Sequence, residues 1–236
     1  MEKQKFLFAN QSLLARIIVI ILLTIPGVAI FGVVLFVSSW SINWLKAWLF
    51  LTIFGSVSLI TALIGVIKYP TMVDSRMAKH SENQKWDNIV VGLLGVNTFI
   101  LLIAAGIDKR FPIIAEVPDL LPFPWVTFPS IYVIIQLWAG ITNKHFESHV
   151  RIQDEHKVIQ TGPYKIVRHL FYSTFMLFWI ATPFALGSFL ALIPGLLGVI
   201  LIIYRTARED KFLQENLKGY REYSKIVKYR LIPDIW

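Results

Sequence analysis

Two short polar segments carry nearly all the side chains that could do chemistry. Residues 143–169 hold four of the five histidines, His145, His149, His156 and His169, beside Gln153, Lys157 and Arg168. Residues 205–236 open with Arg205, Arg208, Glu209 and Asp210 and continue as a tyrosine-rich amphipathic run. Four histidines in one loop raise the question of a metal site. Their spacing has one i,i+4 pair, no H-E-x-x-H and no cysteine partner, so no metal is expected. The absence of cysteine also excludes a disulfide framework, an iron–sulfur centre and a thiolate nucleophile. Neither G-x-G-x-x-G nor G-x-x-x-x-G-K-[ST] occurs. Taken singly, Glu209 and Asp210 among Arg205, Arg208 and Lys211 read as a solvated helix face, and Gly162-Pro163-Tyr164 as a turn. Side by side at a membrane surface, the two segments make a concavity where a water-soluble cofactor meets a lipid-soluble substrate.

The rest of the chain is what must position them. Of 236 residues, 56% are hydrophobic and only 16% charged, and the mean hydropathy is +0.61. An ordinary soluble domain carries roughly 25% charged residues, so the composition is that of an integral membrane protein. A transmembrane helix needs about 20 apolar residues. Stretches free of Asp, Glu, Lys, Arg and His run over 17–45, 47–67, 88–107, 120–143 and 170–204. Pro26 marks a kink in the first. Three prolines delay the helix of the fourth until near Trp125 or later. The last is too long for one span, and Pro183 and Gly187 near its middle predict a tight hairpin of 170–186 and 188–204. The expected fold is an all-α membrane protein of about six transmembrane helices. Residues 1–110 hold the first three helices. Residues 111–236 hold the last three, with a polar loop (143–169) and a C-terminal segment of amphipathic helices (205–236). With that count, all of the 23 lysines and arginines except Lys46, Lys109 and Arg110 fall on one side. The asymmetry predicts a multi-pass protein with both termini cytoplasmic. It also accounts for the net charge of +8 without a nucleic-acid partner.

The order of motifs is more specific than any one of them. Gly-Pro-Tyr-Lys-Ile-Val-Arg-His-Leu-Phe-Tyr (162–172) is followed by the hairpin, then Arg-Thr-Ala-Arg-Glu-Asp-Lys-Phe-Leu (205–213) and Gly-Tyr-Arg-Glu-Tyr (219–223). This series resembles the isoprenylcysteine carboxyl methyltransferase family, a group related to phospholipid N-methyltransferases, over about residues 140–236. Leu170, Thr174 and Asp210 depart from the family pattern, which has proline, glycine and glutamate there. The resemblance implies a methyltransferase that uses S-adenosyl-L-methionine on a lipid or lipidated acceptor. It implies a pocket lined by Gln153, His156, Lys157, Val158, Ile159, Gly162, Tyr164, Arg168, His169 and Tyr172 on the loop side and by Glu209 on the C-terminal helix. Arg205, one turn before Glu209, faces the acceptor in that reading.

The chemistry of the side chains agrees. Glu209 suits the cofactor's ammonium, and Arg168 or a histidine its carboxylate. Tyr164 and Tyr172 offer aromatic faces to adenine or a sulfonium. Methyl transfer is an in-line displacement that needs alignment and desolvation more than a strong acid. Arg205 suits a carboxylate acceptor through a bidentate contact. A phospholipid amine is the second choice of acceptor. The rival classes are an NADPH-dependent membrane reductase of related fold and a non-catalytic membrane scaffold.

Overall fold

The computed structural model describes residues 8–77, 84–114, 122–143, 150 and 157–236. Every regular element among them is helical. Helix α1 (Leu13–Ser39) starts at Ser12, whose hydroxyl accepts from the Ala15 amide, and it continues through Pro26. Helix α2 (Leu45–Lys68) is followed at once by the short α3 (Pro70–Met77). Helix α4 spans Lys85–Arg110. A turn of helix, α5 (Pro122–Trp125), leads into α6 (Phe128–Thr142), with Pro129 in the first turn where its missing amide costs nothing. The start of α6 at Phe128 agrees with the prediction of a start near Trp125 or later. A 3-10 turn at Gly162–Lys165 precedes α7 (Leu170–Leu186), α8 (Leu192–Asn216) and α9 (Tyr220–Ile226).

Three helices, α1, α2 and α4, are long and apolar enough to cross a membrane, and α6 and α7 are shorter apolar helices. The protein is an integral, multi-pass membrane protein. Its outer surface has the character this requires: Leu22, Val33, Ile89, Val96 and Ile200 are all largely exposed. Helix α1 packs on α2 and α4, α2 on α6, α6 on α7, and α4 on α8. The core runs through both expected segments, from Leu35, Phe50, Leu101 and Leu102 to Trp179 and Ile202.

The hairpin forms as the sequence predicts, but the breaker is Gly187 alone. Pro183 lies inside α7, and the chain turns at Gly187, whose φ of 71° suits glycine. The two arms then meet closely. A β-carbon at Gly195 would lie 2.6 Å from the Trp179 carbonyl, and one at Gly198 would overlap the Trp179 ring. Small residues that admit a neighbouring helix are a common solution where lipid supplies no hydrophobic drive. At the turn, Asp108 at the far end of α4 accepts from the Ser188 hydroxyl at 2.7 Å and the Leu190 amide at 3.1 Å. The hairpin is thus tied to α4 at its tip, and both of its polar ends emerge together at the other side.

Candidate active site

Helix α7 begins where the polar loop ends, and α8 leaves its apolar half at Arg205. The two ends are clamped by the C-terminal segment. The Arg168 amide donates to the Tyr229 carbonyl at 3.0 Å and the His169 amide to that of Arg230 at 2.9 Å. Ser173 Oγ donates to the Leu231 carbonyl at 2.5 Å.

Asp210 is the centre of this clamp, with no exposed side-chain surface. Arg168 Nε and Nη2 donate to its two oxygens at 2.8 and 3.0 Å. Arg230 Nε and Gln214 Nε2 donate to Oδ2 at 2.9 and 2.8 Å. The Tyr220 hydroxyl donates to Oδ1 at 3.0 Å, and His169 Nε2 lies 3.3 Å from the same atom. Burial by itself would raise the Asp210 carboxyl, yet His169, Arg168 and Arg230 together hold it well below the usual carboxylate range. Burial of Arg168 works against its charge, and the hydrogen bond and attraction of Asp210 outweigh it, so its proton is held more tightly than usual. Burial, and then the Asp210 charge, push the Tyr220 phenol far up, so it stays a donor. The position where the family pattern has glutamate thus holds a shorter acid whose reach fits an internal hub.

Glu209, its neighbour, faces a different set. The Tyr172 hydroxyl donates to Glu209 Oε2 at 2.5 Å, and His169 Nδ1 lies 3.8 Å from Oε1. The His169 and Tyr172 rings are stacked, 5.7 Å apart at 13°. The Arg205 guanidinium carbon lies 5.1 Å from the Tyr172 ring centre, within cation–π range. Arg205 and Glu209 share one face of α8 because four residues make about one turn. His169 and Tyr172, three apart across the start of α7, share another.

Of the sequence-predicted residues, the structure brings Arg168, His169, Tyr172, Arg205 and Glu209 into one polar cluster. Tyr164 is buried beside it, and its carbonyl accepts from the Tyr223 hydroxyl at 2.7 Å. Burial likewise raises the Tyr223 phenol above its ordinary value. Gly162 adopts a φ of 57° at the head of the 3-10 turn. Lys157 is exposed, while Val158 packs against Leu217, Tyr220, Tyr223 and Val227, and Ile159 is half-buried. Gln153 and His156 lie outside the described residues, as do His145 and His149. Two expectations change in detail. Arg168 is engaged by Asp210 and, through Nη1, by the Val227 and Lys228 carbonyls, so it acts as a strut of the clamp. Arg205 keeps its buried place, but its bidentate edge is taken: Nε and Nη2 donate to Asp87 Oδ1 and Oδ2 at 2.7 and 3.2 Å.

Asp87, fully buried on the first turn of α4, is a residue that sequence reasoning missed. Its only signal was an acid standing one residue before an apolar stretch, which reads as an ordinary helix N-terminal charge. Arg230 was also missed, because it sits in a tail whose pattern is merely amphipathic, and Tyr220 stood inside the 219–223 motif without a role assigned to it.

Residues 123–215 match the model of the isoprenylcysteine carboxyl methyltransferase (ICMT) family. No curated protein matches the chain significantly. The matched stretch contains the hairpin, the start of α7, Arg205, Glu209 and Asp210. A domain of this family is an S-adenosyl-L-methionine-dependent carboxyl methyltransferase.

Proposed function

Since the chain carries an isoprenylcysteine carboxyl methyltransferase domain, we propose that it methylates the carboxylate of a lipid-like or lipidated acceptor at the cytoplasmic face of the membrane, giving a methyl ester. The observation that carries this reading is the placement of Arg205 and Glu209 on successive turns of α8, joined through Tyr172. The residues present fit the cofactor. Asp210 is saturated by its neighbours, whereas the Glu209 side chain keeps 19% of its surface exposed and can meet an ammonium. S-adenosyl-L-methionine, when bound, supplies an electrophilic methyl group on a sulfonium whose leaving group is a neutral thioether. Glu209 and Tyr172 would hold its amino acid end, with the Tyr164 side and the backbone of 157–159 around the rest.

An acceptor carboxylate arrives as the nucleophile and requires no base. Its oxygen forms the bond to the methyl carbon while the carbon–sulfur bond breaks and sulfur keeps the pair. The protein's part is to align the two and to exclude water. Because Asp87 balances the charge of Arg205, the preference for a carboxylate over a phospholipid amine rests on the family match. The acceptor's apolar tail would enter laterally between helices. A cleft of about 420 Å3 among α1, α2, α3 and α6 includes Tyr132, which stacks 4.7 Å from Phe175 on α7. A larger groove of about 790 Å3 between α1 and α2 is lined by none of the site residues.

Six spans with both termini cytoplasmic belong to the same proposal. Its support is the outward apolar face of early α8, with Ile193, Leu196, Ile200 and Ile203 exposed before the helix turns charged at Arg205. The division into a three-helix front (1–110) and a catalytic rear (111–236) is part of it too.

The test is thermal stability of the detergent-purified protein with S-adenosylhomocysteine and, separately, NADPH, for the natural chain, Glu209→Gln and Tyr164→Ala. A ligand at 100 times its Kd stabilises by about 2.7 kcal/mol. A shift with S-adenosylhomocysteine that both variants lose is expected. A shift with NADPH alone would replace the reading with a reductase, and no shift in a folded sample with a non-catalytic scaffold.

A further inference from the structure

We propose that the groove between α1 and α2 binds a phospholipid of net negative head group, with an acyl chain in the groove and the phosphate at Arg110. The inference stands on the membrane-spanning helices and is independent of the methyltransferase reading. Asp87, which holds Arg205, is on the first turn of α4, and Arg110 is on its last. The helix between them is about 35 Å long, so Arg110 marks the opposite membrane boundary from the candidate active site. Gly106 lets α1 approach α4 closely there, since a β-carbon would overlap the Ser38 side chain. One turn on, Arg110 is exposed, and its guanidinium carbon lies 4.4 Å from the Trp40 ring centre. Trp40 ends α1 at a φ of 52°, a left-handed conformation that suits glycine and strains a bulky residue. Its side chain is 77% exposed, so internal packing does not explain a tryptophan at this position. An aromatic platform for a cation at head-group depth does.

The groove begins at this platform. It holds about 790 Å3 and runs from Trp40 and Trp48 to Thr24 and Leu59. Its floor is formed where Gly32 and Gly55 let the helices touch: β-carbons there would meet Leu51 at 3.3 Å and Val28 at 3.0 Å. Trp48 Nε1 donates to the Ile42 carbonyl at 2.9 Å, which fixes its ring as part of the wall. The length selects the occupant. From Thr24 to Trp40 is about 24 Å along α1, and from Trp48 to Leu59 about 17 Å along α2. Half of a hydrocarbon core is about 15 Å, so the groove suits an acyl chain of one leaflet. A helix of a second copy would cross the whole core of about 30 Å and outrun the groove. Charge selects the head group. An exposed cation at the surface favours a lipid of net negative charge over a zwitterion.

The experiment titrates the detergent-purified full chain with dioleoyl phosphatidylglycerol and, separately, dioleoyl phosphatidylcholine, and reads bound lipid by native mass spectrometry. The natural chain is expected to bind phosphatidylglycerol about five-fold more tightly, the effect of one cation near the surface. Arg110→Gln should reduce that preference to less than about two-fold. Lys225→Gln removes the same charge from exposed α9, at the other end of the molecule, and should keep it. Trp40→Gly removes the platform without straining the backbone and should lose the preference while the fold persists. Ala29→Trp and Ser56→Phe fill the groove from either wall at exposed positions, and each should lower the binding of both lipids. Equal affinity of the natural chain for the two lipids overturns the proposal, as does a preference that survives in Arg110→Gln. Lipid binding that neither filled-groove variant alters overturns it too. A dimer of the natural chain that Ala29→Trp or Ser56→Phe dissociates would assign the groove to a second copy instead.

Discussion

Arg168 and Asp210 meet edge to edge, at 2.8 and 3.0 Å, across 42 residues of chain. Each precedes or follows a site residue by one position: Arg168 stands before His169, and Asp210 after Glu209. The pair ties the start of α7 to the polar half of α8 and so brings His169 and Glu209 close to one another. Removing one partner of such a buried pair leaves an uncompensated charge, at about 3–5 kcal/mol. Asp210→Asn is expected to lower unfolding stability on that scale, and denaturant titration in detergent checks it.

The same carboxylate sets a pH dependence. The folded-state pKa of Asp210 is depressed below its unfolded value near 4, so the unfolded chain takes up its proton first on acidification. The stability contributed by Asp210 is complete above that value and is lost as pH falls below it towards the folded pKa. The natural chain should therefore lose stability between roughly pH 5 and 2 more steeply than Asp210→Asn. Equal slopes would show that other acids dominate.

Tyr172→Phe removes the hydroxyl that donates to Glu209 at 2.5 Å but leaves the ring beside Arg205 and His169. The fold should persist, since the ring carries the packing. Loss of a hydrogen bond to a charged group corresponds to about ten-fold weaker cofactor binding, measured by titration with S-adenosylhomocysteine.

Gly198→Leu places a side chain into the Trp179 ring across the hairpin. Overpacking of this kind costs about 1–3 kcal/mol and more where backbones touch. The expected result is a lower Tm in detergent and a smaller folded fraction. Gly92, where a β-carbon meets nothing within 4 Å, is the control, and its substitution by alanine should leave Tm unchanged.

Asp108→Asn acts at the other end of the hairpin. It weakens the bonds from Ser188 and Leu190 and should destabilise by about 1–3 kcal/mol. Cofactor affinity should be unaffected, because the tip of the hairpin is remote from Glu209 along both arms. A parallel loss of affinity would show that the tip tie transmits to the site.

The membrane class, the helical content, the hairpin turn at Gly187 and, from about residue 140 onward, the likeness to the family matched at 123–215 were all legible in the residues themselves. Each depends on a local or additive quantity: hydropathy over a span, a glycine at a positive φ, or a motif with fixed spacing. So was the pairing of Arg205 with Glu209 on one face, which helical periodicity requires. What the tertiary structure alone decided is the partner of each charge. Glu209 and Asp210 are adjacent acids, yet one keeps part of its side chain exposed and the other is sealed by Arg168, Arg230, Gln214 and Tyr220. Asp87 lies 118 residues from Arg205 in the chain, and nothing in its own surroundings marks it as that arginine's counter-ion. Burial makes such pairings obligatory, because a charge taken out of water must find its opposite, but which opposite it finds depends on how the helices pack.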